Sequence, residues 1–148
     1  GWKIGMITAS PEVLAPIAKA HQFLTFTTPP NLQAAVAFGL RKDDAYFEAL
    51  SADMAARRDQ LADGLRDIGF GVIPCQGTYF LTTDFRPLGY NGSDAEFCKY
   101  LTVEAGVAAV PVSAFYTSEE TGYFARFSFC KREETIDEAL RRLKSHFG

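Results

Sequence analysis

The sequence predicts a mixed fold of helices and strands, either α/β or α+β, with a core of its own. Segments with the period of a strand alternate with segments that have the period of a helix along the 148 residues. Apolar residues make up 47% and charged residues 22% of the chain, which is typical of a globular protein. Clear capping signals mark where several of the helices begin.

The first forty residues contain one predicted strand followed by helices. Residues 2–8 are apolar and flanked by glycine, which is typical of a buried strand. Ser10 and Pro11 then supply an N-cap and a first-turn proline, so a helix is expected to begin there. His21 lies on the apolar face of this helix and is interpreted as a core histidine. The segment TFTTPPN ends the helix, and helical character resumes at Leu32.

A long helix is predicted next, reaching about residue 68, with a gap near residues 41–44. An apolar stripe recurs along it at helical spacings, although an arginine at 57 or 58 interrupts the stripe. Gly69 and Gly71 are expected to end the helix. The stripe consists of Phe47, Leu50, Met54, Leu61, Leu65 and Ile68.

The second half of the chain alternates strands and helices. The segments GVIP and TYFLTT predict two strands joined by a turn. Ser93 and Glu96 match a capping box, which predicts a helix that ends near Gly106. VAAVP predicts a short buried strand and YFARFSF a longer one. Residues 133–147 predict a final helix with one apolar face, formed by Ile136, Leu140, Leu143 and Phe147.

Charge and cysteine usage argue against several classes of function. The net charge is −3 and basic residues are spread along the chain, so neither nucleic acid nor a membrane is an expected partner. Three widely spaced cysteines without a CxxC pair predict three buried, reduced thiols in a cytoplasmic protein. Two histidines offer no basis for a zinc site. No stretch reaches the roughly 20 apolar residues that a membrane span needs.

Arg126 and Lys3 are the charged residues with the most unusual surroundings. Arg126 lies in an aromatic strand, on the same side as Phe124 and Ser128. Its guanidinium either pairs with a carboxylate of the protein or reaches solvent at the strand edge, or it binds a carboxylate ligand through its planar fork. Lys3 is either a surface lysine or a point charge suited to phosphate. The acidic pairs at 43–44 and 119–120 are interpreted as turn and helix-cap charges.

Five segments of the sequence occur in the order of a known family: GWKIG, HQFLTFTTPPNLQAA, GTYFLTTDF, AGVAAVPVSAFY and FARFSFCKREETIDEALRRL. With these segments the chain resembles the C-terminal part of a pyridoxal-phosphate-dependent aminotransferase of class I/II (fold type I). The methionine and kynurenine aminotransferases are the members to which it is most similar. The resemblance covers essentially all 148 residues, and five motifs in register are far more specific than one.

The resemblance assigns roles to three residues. Lys3 matches a basic residue that binds the phosphate of pyridoxal 5'-phosphate, the cofactor. Arg126 matches the arginine that binds the α-carboxylate of the amino acid. Phe26 matches an aromatic residue that reaches into the active site of the partner subunit, which implies a homodimer. Amino acids and 2-oxo acids would be the substrates, with methionine, aromatic amino acids or kynurenine as donors.

The resemblance also implies how the chain divides and what it lacks. Residues 1–43 would be the end of the large cofactor-binding domain, 44–69 a bridging helix and 70–148 the small domain. The family's Schiff-base lysine would lie just before Gly1, and none of the six lysines here has its SxSK context. We therefore expect a fragment without a catalytic residue, inactive by itself. A carbon–sulfur lyase of the same fold and a non-catalytic binding or assembly module remain as alternatives.

Overall fold

The computed structural model describes residues 2–117 and 121–148. Glu119 and Glu120, interpreted above as turn or cap charges, lie outside the described residues. Internal contacts divide the chain into two compact units, Gly1–Glu48 and Ala49–Gly148, which are described separately. The assignment of these parts to the large and small domains of a longer enzyme stays a prediction.

The first unit is helical, as its start signals predicted. Helix α1 spans Pro11–Leu24 and begins after Ser10, whose backbone is extended as in an N-cap although its side chain caps no N–H group. Helix α2 spans Pro30–Leu40. The expected break between the two helices and the gap after residue 40 are both confirmed. Helix α3, Asp44–Ile68, begins in this unit with an acidic residue in its first turn, as interpreted from the sequence.

Two expectations about the first unit are wrong. Residues 2–8 form no strand, and Trp2 and Met6 are 65% and 69% exposed. A strand needs a neighbour for its backbone hydrogen bonds, and among the described residues none is paired with this segment. His21 is exposed and is not a core histidine. Helices α1 and α2 contain no buried residue, so their apolar faces lack a covering layer within the described part of this unit.

The second unit contains a four-stranded antiparallel sheet in the order β1-β2-β4-β3. Its strands are β1 (Gly71–Val72), β2 (Phe80–Asp84), β3 (Val110–Pro111) and β4 (Phe124–Ser128). All four lie where the sequence predicted strands. The expectation of a buried strand at VAAVP is wrong in one respect, because β3 is an edge strand and Val110 is 42% exposed.

One face of this sheet carries the core. The buried side chains of β2 and β4 pack against the second half of α3, against α4 (Asp94–Tyr100) with the π-helical turn Leu101–Ala105 that continues it, and against α5 (Glu133–Phe147). Leu61 and Leu65 of the apolar stripe are buried, whereas Phe47 and Leu50 are 40% and 48% exposed. The largest fully buried side chains are Phe85, Phe97, Phe129, Leu65, Leu81, Leu101 and Leu143.

The start of α4 is fixed by the predicted capping box. The backbone N–H of Ser93 donates to Oε2 of Glu96 at 2.9 Å, and the N–H of Glu96 donates to Oγ of Ser93 at 3.3 Å. Substitution Ser93→Ala removes the cap acceptor, and we expect it to lower the free energy of unfolding by about 1 kcal/mol. Urea denaturation of both variants measures this, and an unchanged midpoint would contradict the capping role.

The three cysteines differ in exposure, which corrects the prediction of three buried thiols. Cys98 is buried, Cys75 is half-buried and Cys130, two residues beyond the end of β4, is exposed. Burial, with a smaller contribution from the charge of Asp94, raises the pKa of the Cys98 thiol to about 12.

Within the described ranges no helix combines the length and apolar character that a membrane crossing requires.

Candidate functional site

The face of the sheet opposite the core holds the candidate site. Successive side chains of a strand alternate between faces, and Ala125 and Phe127 of β4 are buried in the core. Arg126 therefore points to the other face, as the sequence predicted. It lies opposite Thr82 of β2 and Val110 of β3, because β4 is an interior strand.

Two aromatic rings contact the guanidinium of Arg126. Its central carbon lies 3.8 Å from the ring centroid of Phe80 and 4.4 Å from that of Phe115. Both distances are in the range of cation–π contacts, which hold a guanidinium flat against the ring faces. We call Phe80, Arg126 and Phe115 the arginine clamp. These ring contacts use none of the N–H donors, so the N–H groups remain available for hydrogen bonds.

The edge of this guanidinium has no partner among the described residues. No hydrogen bond or ion pair joins Arg126 to a side chain within 2–117 or 121–148, and its side chain is only half-buried. A planar fork of N–H donors in this state matches a carboxylate that binds through two parallel hydrogen bonds. Of the alternatives drawn from the sequence, pairing with a protein carboxylate is not seen in these residues.

Asp84 of the neighbouring strand β2 lies on the same face of the sheet as Arg126, and its carboxylate already has a partner. Asp84 accepts hydrogen bonds from Nε of Arg86 at 3.0 Å and from Nη2 at 2.6 Å. These side-chain hydrogen bonds lower the pKa of Asp84 below its usual value. The guanidinium of Arg86 also lies 3.7 Å from the ring centroid of Tyr123. The carboxylate of Asp84 is thereby paired with Arg86. It does not neutralise the positive charge of Arg126.

Lys3 and Phe26 both lie in the first unit, and among the described residues no hydrogen bond or cation–π contact joins them. Both side chains are exposed, Phe26 by 75%. The backbone of both is left-handed, with φ of 56° and 62°, and Thr78 before β2 shares this property with φ of 64°. Only these three non-glycine residues among those described have positive φ. Such backbone strain in bulky residues is uncommon and is concentrated at functional sites.

Sequence reasoning found Arg126 but missed both of its aromatic neighbours. Phe80 could have been found from alternation, since the pairing of Phe80 with Ser128 places its ring diagonally beside Arg126. Phe115 had no such signal, because it lies on a short 3₁₀ turn, Ser113–Phe115, that follows β3. Its position relative to Arg126 depends on the tertiary path of that turn.

Comparisons with known proteins agree with this architecture. A model of the family described as aminotransferase class I and II matches residues 1–143. The probable N-succinyldiaminopimelate aminotransferase of Mycobacterium tuberculosis is 45% identical over 97% of this chain. The methionine aminotransferase of Escherichia coli is 38% identical over 97% of the chain, and the kynurenine–oxoglutarate transaminase of Dictyostelium discoideum is 31% identical over 94%.

A solved structure gives the same result for the fold. The N-succinyldiaminopimelate aminotransferase of Mycobacterium tuberculosis superposes with a TM-score of 0.87 and 46% identity over 98% of this chain. The chain spans only 38% of that structure's length, and 37 to 38% of the length of the three curated relatives.

Proposed function

Because this chain belongs to the class I and II aminotransferases, which depend on pyridoxal 5'-phosphate, we propose that it is the C-terminal part of an enzyme that moves an amino group between an amino acid and a 2-oxo acid. Residues 1–43 belong to the large domain in this proposal, 44–69 form the bridging helix and 70–148 the small domain. The full-length enzyme is a cytoplasmic homodimer, in which Phe26 reaches the partner subunit's active site.

The observation that carries this proposal is the arginine clamp. The guanidinium of Arg126 contacts the rings of Phe80 and Phe115 and has no hydrogen-bonded partner in the described residues. The amino donor and the 2-oxo acid both bear an α-carboxylate, so one fork serves both halves of the reaction. A charge-assisted, bidentate pair fixes the orientation of the substrate as well as its affinity. In this proposal Arg126 binds that carboxylate.

The residues present also fit part of a cofactor site. Lys3 is exposed and its ammonium has no ion-pair partner among the described residues, so it suits the phosphate of pyridoxal 5'-phosphate as a point charge. When bound, that cofactor supplies the electron sink that makes the Cα proton of an amino acid removable. We assign Lys3 to holding the phosphate and Arg126 to orienting the substrate.

The amino donor is to be determined by assay of the full-length enzyme. The names of the relatives suggest methionine, kynurenine and N-succinyldiaminopimelate as donors, and we add phenylalanine and tyrosine as aromatic donors. Each is supplied with 2-oxoglutarate, and glutamate formation is measured. We expect glutamate from at least one donor. L-cystathionine, which has a Cβ–S bond, is tested in parallel without 2-oxoglutarate. Release of a thiol, ammonia and pyruvate from it would indicate a carbon–sulfur lyase instead.

The 148-residue chain by itself is expected to transfer no amino groups. The reaction needs a lysine that binds the cofactor covalently and moves the substrate proton. The lysines of this chain, at positions 3, 19, 42, 99, 131 and 144, lack the sequence context of that residue. The chain is mixed with pyridoxal 5'-phosphate and borohydride and then analysed by mass spectrometry. Stoichiometric fixation of the cofactor at one lysine would contradict this prediction.

A further inference from the structure

A buried carboxylate holds the turn that carries Phe115. Asp94, the first residue of α4, is 1% exposed. Its Oδ2 accepts the backbone N–H of Ser113 at 2.7 Å, and its Oδ1 accepts the hydroxyl of Ser113 at 2.8 Å. Both oxygens are thus bound by one residue of the 3₁₀ turn Ser113–Phe115. Two short bonds to a single residue fix both the position and the direction of that turn.

Asp94 is also bonded through its backbone to the segment before β4. Its N–H donates to the carbonyl of Gly122 at 2.8 Å. On the other side, the N–H of Val112 donates to the carbonyl of Phe124 at 3.2 Å, and Val112 is buried. Residues 112–113 and 122–124 are therefore held against each other and against the start of α4.

Helix capping does not explain this carboxylate. The side chains of Ser93 and Glu96 already form the capping box at the start of α4, and the carboxylate of Asp94 takes no part in it. A carboxylate placed at 1% exposure loses its hydration, and that cost is offset only by well-made hydrogen bonds. Within residues 2–117 of the described chain, Ser113 donates two hydrogen bonds to this carboxylate. The buried carboxylate of Asp94 therefore constrains Ser113. The helix start does not need this carboxylate, because the capping box is formed by other side chains.

The constraint extends directly to the arginine clamp. Phe115 is the last residue of the turn that Ser113 begins, and its N–H donates to the carbonyl of Val112 at 3.0 Å. Its ring lies 4.4 Å from the guanidinium carbon of Arg126, yet 57% of its surface is exposed. An exposed ring has few packing contacts of its own, so the turn sets where it lies.

We propose that Asp94 and Ser113 are positioning residues for the substrate α-carboxylate: they fix the turn that presses Phe115 onto Arg126 and so set the plane of its guanidinium. This inference rests on the proposed function of Arg126 as the carboxylate-binding residue. Both substrates of an amino transfer carry that carboxylate. Loosening the turn therefore weakens the binding of both substrates, while the proton transfers at Cα, which these residues do not touch, are affected less.

Steady-state kinetics of the full-length enzyme test the proposal. We expect Ser113→Ala and Phe115→Leu each to raise KM for the amino donor and for the 2-oxo acid by about tenfold, with kcat changed by less than about threefold. The conservative variant Phe115→Tyr should restore most of the affinity, because a tyrosine ring stacks on a guanidinium equally well. The exposed position of Phe115 makes its variants safe for folding.

Substitution Ser93→Ala is the matched control. It removes a hydroxyl from the adjacent residue and destabilises the same helix start, but leaves both bonds of Asp94 to Ser113 in place. We expect its KM values to equal those of the wild type. If Ser113→Ala and Phe115→Leu also leave both KM values unchanged, or if Ser93→Ala raises them as much, the pair is only structural and the proposal is wrong.

A ligand that cannot react separates this inference from the proposed function. The Kd of 3-phenylpropionate, a carboxylate without an amino group, is measured by calorimetry for each variant. A Kd raised about tenfold by Ser113→Ala and by Phe115→Leu supports the positioning role, even if the wild type transfers no amino group. A wild type that transfers amino groups but shows equal Kd values in all variants overturns the positioning role alone. Absence of 3-phenylpropionate binding in the wild type overturns it as well.

Discussion

Replacing Arg126 by leucine is expected to raise the KM of the full-length enzyme for its amino donor by at least about a hundredfold. Leucine keeps the apolar contact with the rings of Phe80 and Phe115 but removes every N–H donor. The substrate carboxylate is then left without its charge-assisted pair. Initial rates over a range of donor concentrations measure the effect, and the 2-oxo acid is expected to show the same loss.

Arg141→Leu serves as the control for this substitution. It removes the same charge from the same unit, but Arg141 is already bonded to Glu138, with Nε to Oε2 at 2.7 Å and Nη2 to Oε1 at 2.8 Å. We expect its KM to stay within about twofold of the wild type, because Arg141 lies on α5, which packs against the core face of the sheet, whereas Arg126 lies on the opposite face. Similar kinetics for the Arg126 and Arg141 variants would exclude the carboxylate-binding role.

Replacing Phe97 by alanine is expected to lower the free energy of unfolding of the second unit by about 3–5 kcal/mol. The ring of Phe97 is fully buried and stacks on that of Phe85, with centroids 4.1 Å apart and planes inclined by 17°. Phe70, Tyr90 and Phe147 contact it as well. The truncation leaves a cavity between α4, the sheet and α5 that these neighbours fill only in part.

Urea denaturation followed by far-UV circular dichroism measures this loss. Tyr116→Ala is the control, because it truncates an aromatic side chain that is 60% exposed, and we expect a change within about 0.5 kcal/mol. A loss below about 1 kcal/mol for Phe97→Ala would show that the core does not depend on this aromatic stack.

Local signals predicted the second unit better than the first. The capping box at Ser93, the alternation around Arg126 and the apolar face of α5 each involve neighbours in the sequence, and the structure confirms all three. Residues 2–8 and His21 are different, because apolar character predicts burial without identifying the surface that provides it. In the described residues of the first unit no such surface is present, so both expectations failed.

The candidate site was predicted only in part, for a comparable reason. A guanidinium in an aromatic strand is visible in the sequence as an unusual charge, so Arg126 could be singled out. Phe115 and Asp94 could not, since their link to Arg126 depends on hydrogen bonds between α4 and the turn after β3. The family resemblance located Lys3 and Phe26, whose roles stay predictions, and it did not include N-succinyldiaminopimelate among the donors to be tested.

The most direct test of the central claim, that Arg126 binds the α-carboxylate in an amino-transfer reaction, compares two donors that differ only in that group. The full-length enzyme and its Arg126→Leu variant are assayed with the amino donor that the glutamate assay identifies and with the amine that lacks its α-carboxylate; for L-methionine this amine is 3-(methylthio)propylamine. The account predicts that the wild type prefers the amino acid over the amine in kcat/KM by at least about a hundredfold and that Arg126→Leu loses this preference. A variant that discriminates between the two donors as strongly as the wild type would contradict it.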